Sequence, residues 1–174
     1  MCGISGIMHF DTSRRVDEIL LKKMNDSISH RGPDGEGFFI EDNIGFGHRR
    51  LKIIDLNTGD QPMYSFDKNI VLVFNGEIYN YLEIKEILIK RGYQFYTTSD
   101  TEVIINSYLE WGYDCQNKFN GMWAFSLWDK RKKKLFLSRD RLGQKPLYYS
   151  VFNNSLYFGS EMKSIFSGKV PKYI

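Results

Sequence analysis

The chain has 174 residues, which is the size of one domain and leaves no room for a second catalytic domain. Hydrophobic residues make up 42% of the sequence and aromatic residues 16%, a composition that excludes a largely disordered chain. The net charge of +3 excludes a general basic face, and no apolar stretch approaches the roughly 20 residues that span a bilayer, so we expect neither nucleic acid nor membrane as a partner.

The predicted elements begin with a strand and a helix. The apolar, glycine-interrupted opening predicts a buried strand over residues 3–10. Apolar positions at helical spacing then predict a helix over residues 16–28, which ends before the glycines and proline of residues 31–35. Three strands are predicted next, over residues 38–40, 44–51 and 70–74.

Two helices and four strands are predicted in the second half of the chain. A capping residue with a carboxylate three positions later predicts the start of each helix, at Asn80 with Glu83 and at Ser99 with Glu102. The four short strands cover residues 123–128, 134–139, 147–151 and 156–158. This order of elements predicts an α+β fold in which helices pack on mainly antiparallel sheets.

The cysteines and the densest charge cluster give further expectations. With only Cys2 and Cys115, the chain has neither a disulfide framework nor the ligand spacing of a zinc site. The N-terminus lacks the pattern of a secretory signal, so we expect a cytoplasmic protein. The five consecutive cations at 130–134 could contact nucleic acid, but the apolar stretches on both sides favour a solvated hairpin turn.

Cys2 is the residue with the largest chemical consequence. Removal of the initiator Met1 would leave Cys2 with both a thiol and a free α-amine. The ordinary pKa of such an amine, about 7.7 to 8.0, suits it to accept the thiol proton. A retained Met1 would place the same nitrogen in a peptide bond and leave the protein inactive.

Polar residues after an apolar strand could complete a catalytic site. Asn75, Gly76 and Glu77 follow the strand predicted over residues 70–74, where we expect that strand to stop. The Asn75 amide and the Gly76 N–H could donate hydrogen bonds to a developing oxyanion. An Asn-Gly pair is also typical of a hairpin turn, and the spacing alone leaves both interpretations open.

Three charged residues could bind a ligand or serve only the fold. A guanidinium from Arg49 or Arg50 could hold a carboxylate through a bidentate fork, or could simply be exposed. Asp100 lies in the first turn of a predicted helix, where the helix dipole favours a carboxylate even without a ligand.

Ordered motifs across nearly the whole chain resemble one family, the class II glutamine amidotransferase domain or N-terminal-nucleophile glutaminase. The resemblance is strongest to the form at the front of glutamine-hydrolysing asparagine synthetases. The motifs are Met1-Cys2-Gly3-Ile4, Arg31-Gly32-Pro33-Asp34, Gly47-His48-Arg49-Arg50-Leu51, Gln61-Pro62-Met63, Phe74-Asn75-Gly76-Glu77, Ser99-Asp100-Thr101-Glu102, Arg139-Asp140-Arg141-Leu142-Gly143 and Ser160-Glu161-Met162-Lys163.

The resemblance implies a fold, a substrate and a set of roles. The fold is α+β, a four-layer αββα sandwich of two mainly antiparallel sheets known as the Ntn-hydrolase fold. The substrate is L-glutamine, and the domain uses no cofactor and no metal. Cys2 is the nucleophile that forms a γ-glutamyl thioester and releases ammonia. The other implied roles are the oxyanion hole for Asn75 and Gly76, the α-carboxylate contact for Arg50, the α-ammonium contacts for Glu77 and Asp100, and backbone contacts for Ile53 and Ile54.

The resemblance also implies a larger parent protein. Residues 1–160 would form the glutaminase domain, and residues 161–174 would begin a linker to a C-terminal synthetase domain or subunit that uses ATP and Mg. The ATP-binding Ser-Gly-Gly-x-Asp-Ser loop of that domain does not occur in this sequence. Two alternatives stay open: a non-catalytic glutamine-binding regulatory module, and an amidotransferase acting on a sugar or another carboxylate in place of aspartate.

Overall fold

The computed structural model describes residues 1–51 and 59–172, and its nine strands form two antiparallel sheets. The strands are β1 (Gly3–His9), β2 (Gly35–Glu41), β3 (Ile44–Arg50), β4 (Met63–Tyr64), β5 (Ile70–Ile78), β6 (Gly121–Asp129), β7 (Lys134–Arg139), β8 (Tyr148–Phe152) and β9 (Ser155–Gly159). One sheet has the order β2-β3-β1-β9-β8 and the other has the order β4-β5-β6-β7.

Helices cover the outer face of each sheet. They are α1 (Glu18–Asp26), α2 (Tyr81–Lys90), α3 (Asp100–Trp111) and α4 (Met162–Ser167), with 3₁₀ segments at Ser29–Arg31 and Gly112–Lys118. Helices α1 and α4 contact each other and the five-stranded sheet, whereas α2 and α3 contact each other and α3 packs on β5. No helix in the described part of the chain is long and apolar enough to cross a membrane.

Three apolar clusters separate four layers. The strand β5 shows why, because its buried side chains alternate between its two faces. Val71 and Val73 point into the cluster between the sheets, which also contains Ile4, Phe46 and Phe158. Leu72 and Phe74 point outward, into the cluster under α2 and α3 that contains Ile84, Leu88, Val103 and Ile104. A third cluster joins Ile7 and Tyr157 to Leu21, Met24 and Ile165 of α1 and α4. The predicted αββα sandwich is therefore confirmed.

The start of α2 differs from the prediction, and the start of α3 agrees with it in part. Asn80 makes no capping hydrogen bond to α2; its amide instead donates to the carbonyl of Lys118 and accepts from the N–H of Asn120. The predicted Asn80 cap is wrong because this side chain ties α2 to the segment before β6. Ser99 does cap α3, accepting from the N–H of Thr101 at 3.2 Å.

Strand β5 is longer than predicted, and this changes the setting of the polar residues. It continues to Ile78, so Asn75 and Gly76 lie inside the strand, opposite Ala124 and Trp123 of β6. The expectation that the strand stops at Phe74 is wrong, and the hairpin-turn interpretation of Asn-Gly is excluded. The basic run does lie at the β6–β7 hairpin turn, as predicted: residues 130–133 form the turn and Lys134 begins β7.

Candidate active site

A polar cavity lies where β1 begins, where β3 and the apolar part of β5 end, and where α3 begins. It collects every site residue that the sequence predicted within the described ranges, namely Cys2, Arg50, Asn75, Gly76, Glu77 and Asp100. Met1, Gln61, Thr101 and Lys145 also line it. The predicted contacts of Ile53 and Ile54 lie outside the described residues.

The thiol of Cys2 is held at the edge of the five-stranded sheet. Its sulfur accepts from the Leu51 N–H at 3.3 Å and lies 3.5 Å from the Leu51 carbonyl oxygen. Burial raises the pKa of the Cys2 thiol, while the Leu51 N–H and the positive charges of the N-terminal amine and Arg50 oppose that rise. The thiol therefore needs a nearby base or cation to react as a thiolate at neutral pH.

Arg31 holds the backbone of Cys2. Its Nε donates to the carbonyl of Cys2 at 3.0 Å, and its Nη1 donates to the carboxylate of Glu161 at 3.1 Å. The sequence placed Arg31 in a motif without giving it a role. The one sequence feature that marks this position is the adjacent Gly32. In the structure, the Gly32 backbone packs so close to the Arg49–Arg50 peptide that a Cβ atom would lie 2.4 Å from the Arg50 nitrogen.

Asn75 and Gly76 have the properties of an oxyanion hole. The side chain of Asn75 is 1% exposed, and its amide nitrogen has no hydrogen-bond partner among the residues that the structure describes. Gly76 has no space for a side chain, because a Cβ atom would lie 2.2 Å from the Met122 carbonyl oxygen. A buried amide donor is thus left available at the cavity wall, where a substrate oxygen could accept its hydrogen bond.

The cavity holds charges of both signs. Arg50 is 5% exposed and forms an ion pair with Asp60, whereas its neighbour Arg49 pairs with Asp26 and Glu36. Of these two neighbouring arginines, Arg50 lines the cavity and Arg49 does not. A zwitterionic amino acid needs one cation and at least one anion held apart, and Arg50 with Glu77 and Asp100 meets that requirement.

Asp100 is the carboxylate with the most altered ionisation. It is 5% exposed, and its Oδ2 accepts from the Ile78 N–H at 3.0 Å. Burial raises the pKa of Asp100 to about 6, and the Glu77 carboxylate adds to the rise, although the Ile78 hydrogen bond lowers it. A ligand ammonium would relieve both unfavourable effects.

Two polar side chains that the sequence analysis placed in motifs without giving them a role brace the apolar part of β5. The side-chain oxygen Oε1 of Gln61 accepts from the Phe74 N–H at 2.6 Å, and the side-chain nitrogen Nε2 of Gln61 lies 3.5 Å from the Thr101 hydroxyl. From the opposite sheet, His48 Nε2 donates to the Phe74 carbonyl at 3.2 Å. Burial lowers the pKa of His48 to about 4, so this ring is neutral and acts as a fixed donor. Both contacts orient the backbone that leads directly into Asn75.

The described residues contain no group of three or more His, Cys, Asp or Glu side chains that could hold a metal ion. The chemistry that the cavity can perform with its own groups is attack by a thiol on a carbonyl, with donors for the resulting oxyanion.

Comparisons with known proteins agree with this arrangement. The family model of the glutamine amidotransferase domain matches residues 1–173. Asparagine synthetase [glutamine-hydrolyzing] 1 of Bacillus subtilis is 45% identical over 95% of this chain, which corresponds to 26% of that protein. A putative asparagine synthetase [glutamine-hydrolyzing] 2 of Methanocaldococcus jannaschii is 47% identical over 97% of this chain and 36% of its own length. The chain thus spans about a quarter to a third of the length of these relatives.

A solved structure supports the fold. The glutamine phosphoribosylpyrophosphate amidotransferase of Bacillus subtilis matches 97% of this chain and 44% of its own chain, with a TM-score of 0.79 and 20% sequence identity. At that identity the match concerns the fold alone. The family match over residues 1–173, by contrast, shows that this chain belongs to the glutamine amidotransferase domain family.

Proposed function

We propose that this domain hydrolyses L-glutamine to glutamate and ammonia with Cys2 as the nucleophile. The observation that carries the proposal is the meeting of three features in one cavity. These are the Cys2 thiol, the unpartnered amide of Asn75 and the separated charges of Arg50 and Asp100. In this proposal they supply the attacking atom, a hydrogen-bond donor for the oxyanion, and opposite charges that bind the two ends of a free amino acid.

Removal of Met1 is the first step. While Met1 is present, the Cys2 nitrogen is part of an amide, and the Met1 side chain lines the same cavity as Cys2. Once Met1 is gone, the free α-amine takes the thiol proton, directly or through one water. The nucleophile and its base then belong to the same residue.

The reaction has two halves. The thiolate attacks the side-chain amide carbon of glutamine, and the carbonyl oxygen becomes an oxyanion that accepts from the Asn75 amide and the Gly76 N–H. Collapse of this intermediate breaks the carbon–nitrogen bond, and the amine of Cys2 returns its proton to the leaving nitrogen as ammonia departs. Water then attacks the γ-glutamyl thioester, giving glutamate and the free thiol.

Substrate selection follows from the charges. Arg50 binds the α-carboxylate in place of, or beside, Asp60, and Glu77 and Asp100 bind the α-ammonium. The backbone of Ile53 and Ile54 completes the pocket in this proposal. A ligand without the α-ammonium would leave two carboxylates unpaired in a buried site, which disfavours its binding.

The whole protein is proposed to be an asparagine synthetase. Residues 1–160 form the glutaminase domain, and residues 161–174 lead toward a C-terminal synthetase domain or subunit. There, ATP and Mg would activate aspartate for attack by the ammonia that this domain releases. The support is the likeness to glutamine-hydrolysing asparagine synthetases, and we propose a cytoplasmic location on the basis of the two unpaired cysteines.

The test measures ammonia released from glutamine by protein shown by intact mass to lack Met1. The expected result is turnover by the parent and none by Cys2→Ala, with glutamine binding retained in the variant. Turnover that persists in Cys2→Ala would exclude Cys2 as the nucleophile. Binding without turnover in the processed parent would instead support a regulatory glutamine-binding module.

A further inference from the structure

Lys145 is a buried cation in the same cavity that none of the steps above uses. Its side chain is 6% exposed, and its Nζ lies 3.1 Å from the sulfur of Met1. Across residues 1–51 and 59–172 no carboxylate forms an ion pair with it. Among these described residues its one hydrogen-bond partner is a thioether sulfur, a weak acceptor, which lacks the compensation that a buried ammonium ordinarily has.

The backbone around Lys145 is fixed from both sides. The Lys145 N–H donates to Asp140 Oδ2 at 2.9 Å, and the Lys145 carbonyl accepts from Arg139 Nε at 2.8 Å. Asp140 also accepts from the N–H of Trp123, the residue that pairs with Gly76 across β5 and β6. The backbone of Lys145 is therefore tied, through Asp140, to the strand that pairs with the proposed oxyanion hole.

The other charges around Cys2 already have partners or assigned roles. Arg31 is paired with Glu161, and Arg50 is paired with Asp60. The carboxylates of Glu77 and Asp100, which also line the cavity, disfavour a thiolate. The charged groups in or beside this cavity are the N-terminal amine, Arg31 from the 3₁₀ segment, Arg50 from β3 with its partner Asp60, Glu77 from β5, Asp100 from α3 and Lys145 from the loop after β7.

We propose that Lys145 is a positioning residue that adds a positive charge, beside that of Arg50, which favours the thiolate of Cys2 once Met1 has been removed. This inference rests on the proposed function and deepens it. The sulfur that contacts the ammonium leaves with Met1, and the residue next to it, Cys2, then presents an amine and a thiol to the same cavity. In general, at an effective dielectric constant of about 20, a cation roughly 10 Å from an ionisable group changes its ionisation equilibrium about tenfold, an effect large enough to measure by titration.

The experiment compares Lys145→Met, which keeps the length of the side chain without its charge, with Lys145→Arg, which keeps the charge. Lys90→Met, at an exposed lysine that ends α2, is the matched control. Intact mass confirms the loss of Met1 from each protein. The first readout is the rate of Cys2 alkylation by iodoacetamide between pH 6 and pH 10, with Cys2→Ala as background; it needs no glutamine.

The expected result is a thiol titration that moves upward by about one pH unit in Lys145→Met and stays in place in Lys145→Arg and Lys90→Met. The second readout, kcat/KM for glutamine hydrolysis, should fall about tenfold near pH 7 in Lys145→Met and recover at higher pH. A purely structural role for Lys145 would lower the rate without moving the pH profile.

The outcomes separate this inference from the proposed function. A shifted alkylation profile without any glutamine hydrolysis in the parent would support the role of Lys145 and contradict the glutaminase proposal. Superimposed alkylation profiles for the parent and Lys145→Met would overturn the role of Lys145, whatever the glutaminase activity. If Lys145→Met loses its cooperative unfolding transition, Lys145→Gln provides the neutral side chain and the same two outcomes apply.

Discussion

The buried amide nitrogen of Asn75 has no hydrogen-bond partner among the described residues, and it lies in the wall of the cavity that the Cys2 thiol also lines. An unsatisfied buried donor costs about 1 to 3 kcal/mol. The fold tolerates this cost at a position where a ligand oxygen in the cavity could accept the hydrogen bond. The pairing of a nucleophile with an unsatisfied donor is what an acyl-transfer site requires.

Asn75→Ala should therefore lower kcat for glutamine hydrolysis by about 10² to 10³ with a much smaller change in KM, because the donor acts on the oxyanion. Thermal unfolding should change little, since the substitution removes an unsatisfied group. Steady-state kinetics and a melting curve check both statements. A kcat within threefold of the parent would show that Asn75 is not a donor to the oxyanion.

Gly76→Ala tests whether this position needs glycine for space. The added Cβ would lie 2.2 Å from the Met122 carbonyl oxygen, so β5 and β6 must separate locally. We expect the free energy of unfolding to fall by about 1 to 3 kcal/mol in urea titrations. Gly35→Ala in β2 is the matched control, because its Cβ would make only an ordinary contact at 3.8 Å with Arg50.

Local patterns predicted most of the fold. Periodicity located α1 and the long strands because each buries one face, or both, against a neighbouring layer. The two-residue strand β4 carries too few residues to show a period. Asn80 was misassigned as a cap because its partners, Lys118 and Asn120, are distant in sequence and no local pattern reveals them.

The site was predicted as separate residues rather than as a cavity. The sequence indicated Cys2 and Arg50 through their chemistry and motifs, but the spacing left Asn75-Gly76 open between a turn and an oxyanion hole. The pairing with β6 excludes the turn, and the oxyanion hole remains a proposal. Lys145 was missed because a lysine in a loop is ordinarily exposed, and its burial arises from contacts across the whole domain.

Glutamine binding should depend on the ionisation of Asp100. Its pKa is raised from an ordinary value near 4 to about 6, chiefly by burial. Asp100 is therefore harder to ionise in the folded state than in the unfolded state, so the free energy of unfolding decreases as the pH rises from about 4 to 6. The ligand ammonium favours the ionised form, so affinity should rise about tenfold between pH 5 and pH 7.

Calorimetric titration of glutamine into Cys2→Ala protein measures this dependence without turnover. Cys2→Ala/Asp100→Asn should bind more weakly at pH 7 and should lose the change in affinity between pH 5 and pH 7. It should also lose the decrease in thermal stability over the pH range in which Asp100 ionises. An affinity independent of pH in the Cys2→Ala protein would remove Asp100 from the ammonium site.

Arg50→Lys should raise KM for glutamine about tenfold with a smaller change in kcat, because lysine keeps the charge but loses the two parallel hydrogen bonds of a guanidinium. Arg49→Lys is the control, since Arg49 pairs with Asp26 and Glu36 instead of lining the cavity. Equal effects of the two substitutions on KM would contradict the assignment of the carboxylate to Arg50.

Intact-mass spectrometry before and after incubation with a glutamine-mimicking diazoketone tests the nucleophile most directly. One spectrum reports the state of the N-terminus, and peptide mapping locates the label. Cys115 provides an internal control, because burial raises the pKa of its thiol to about 12 and it should remain unmodified. We predict a protein lighter by one methionine that gains a single adduct on Cys2, and no adduct in Cys2→Ala. A protein that has lost Met1 but leaves Cys2 unlabelled would contradict the account.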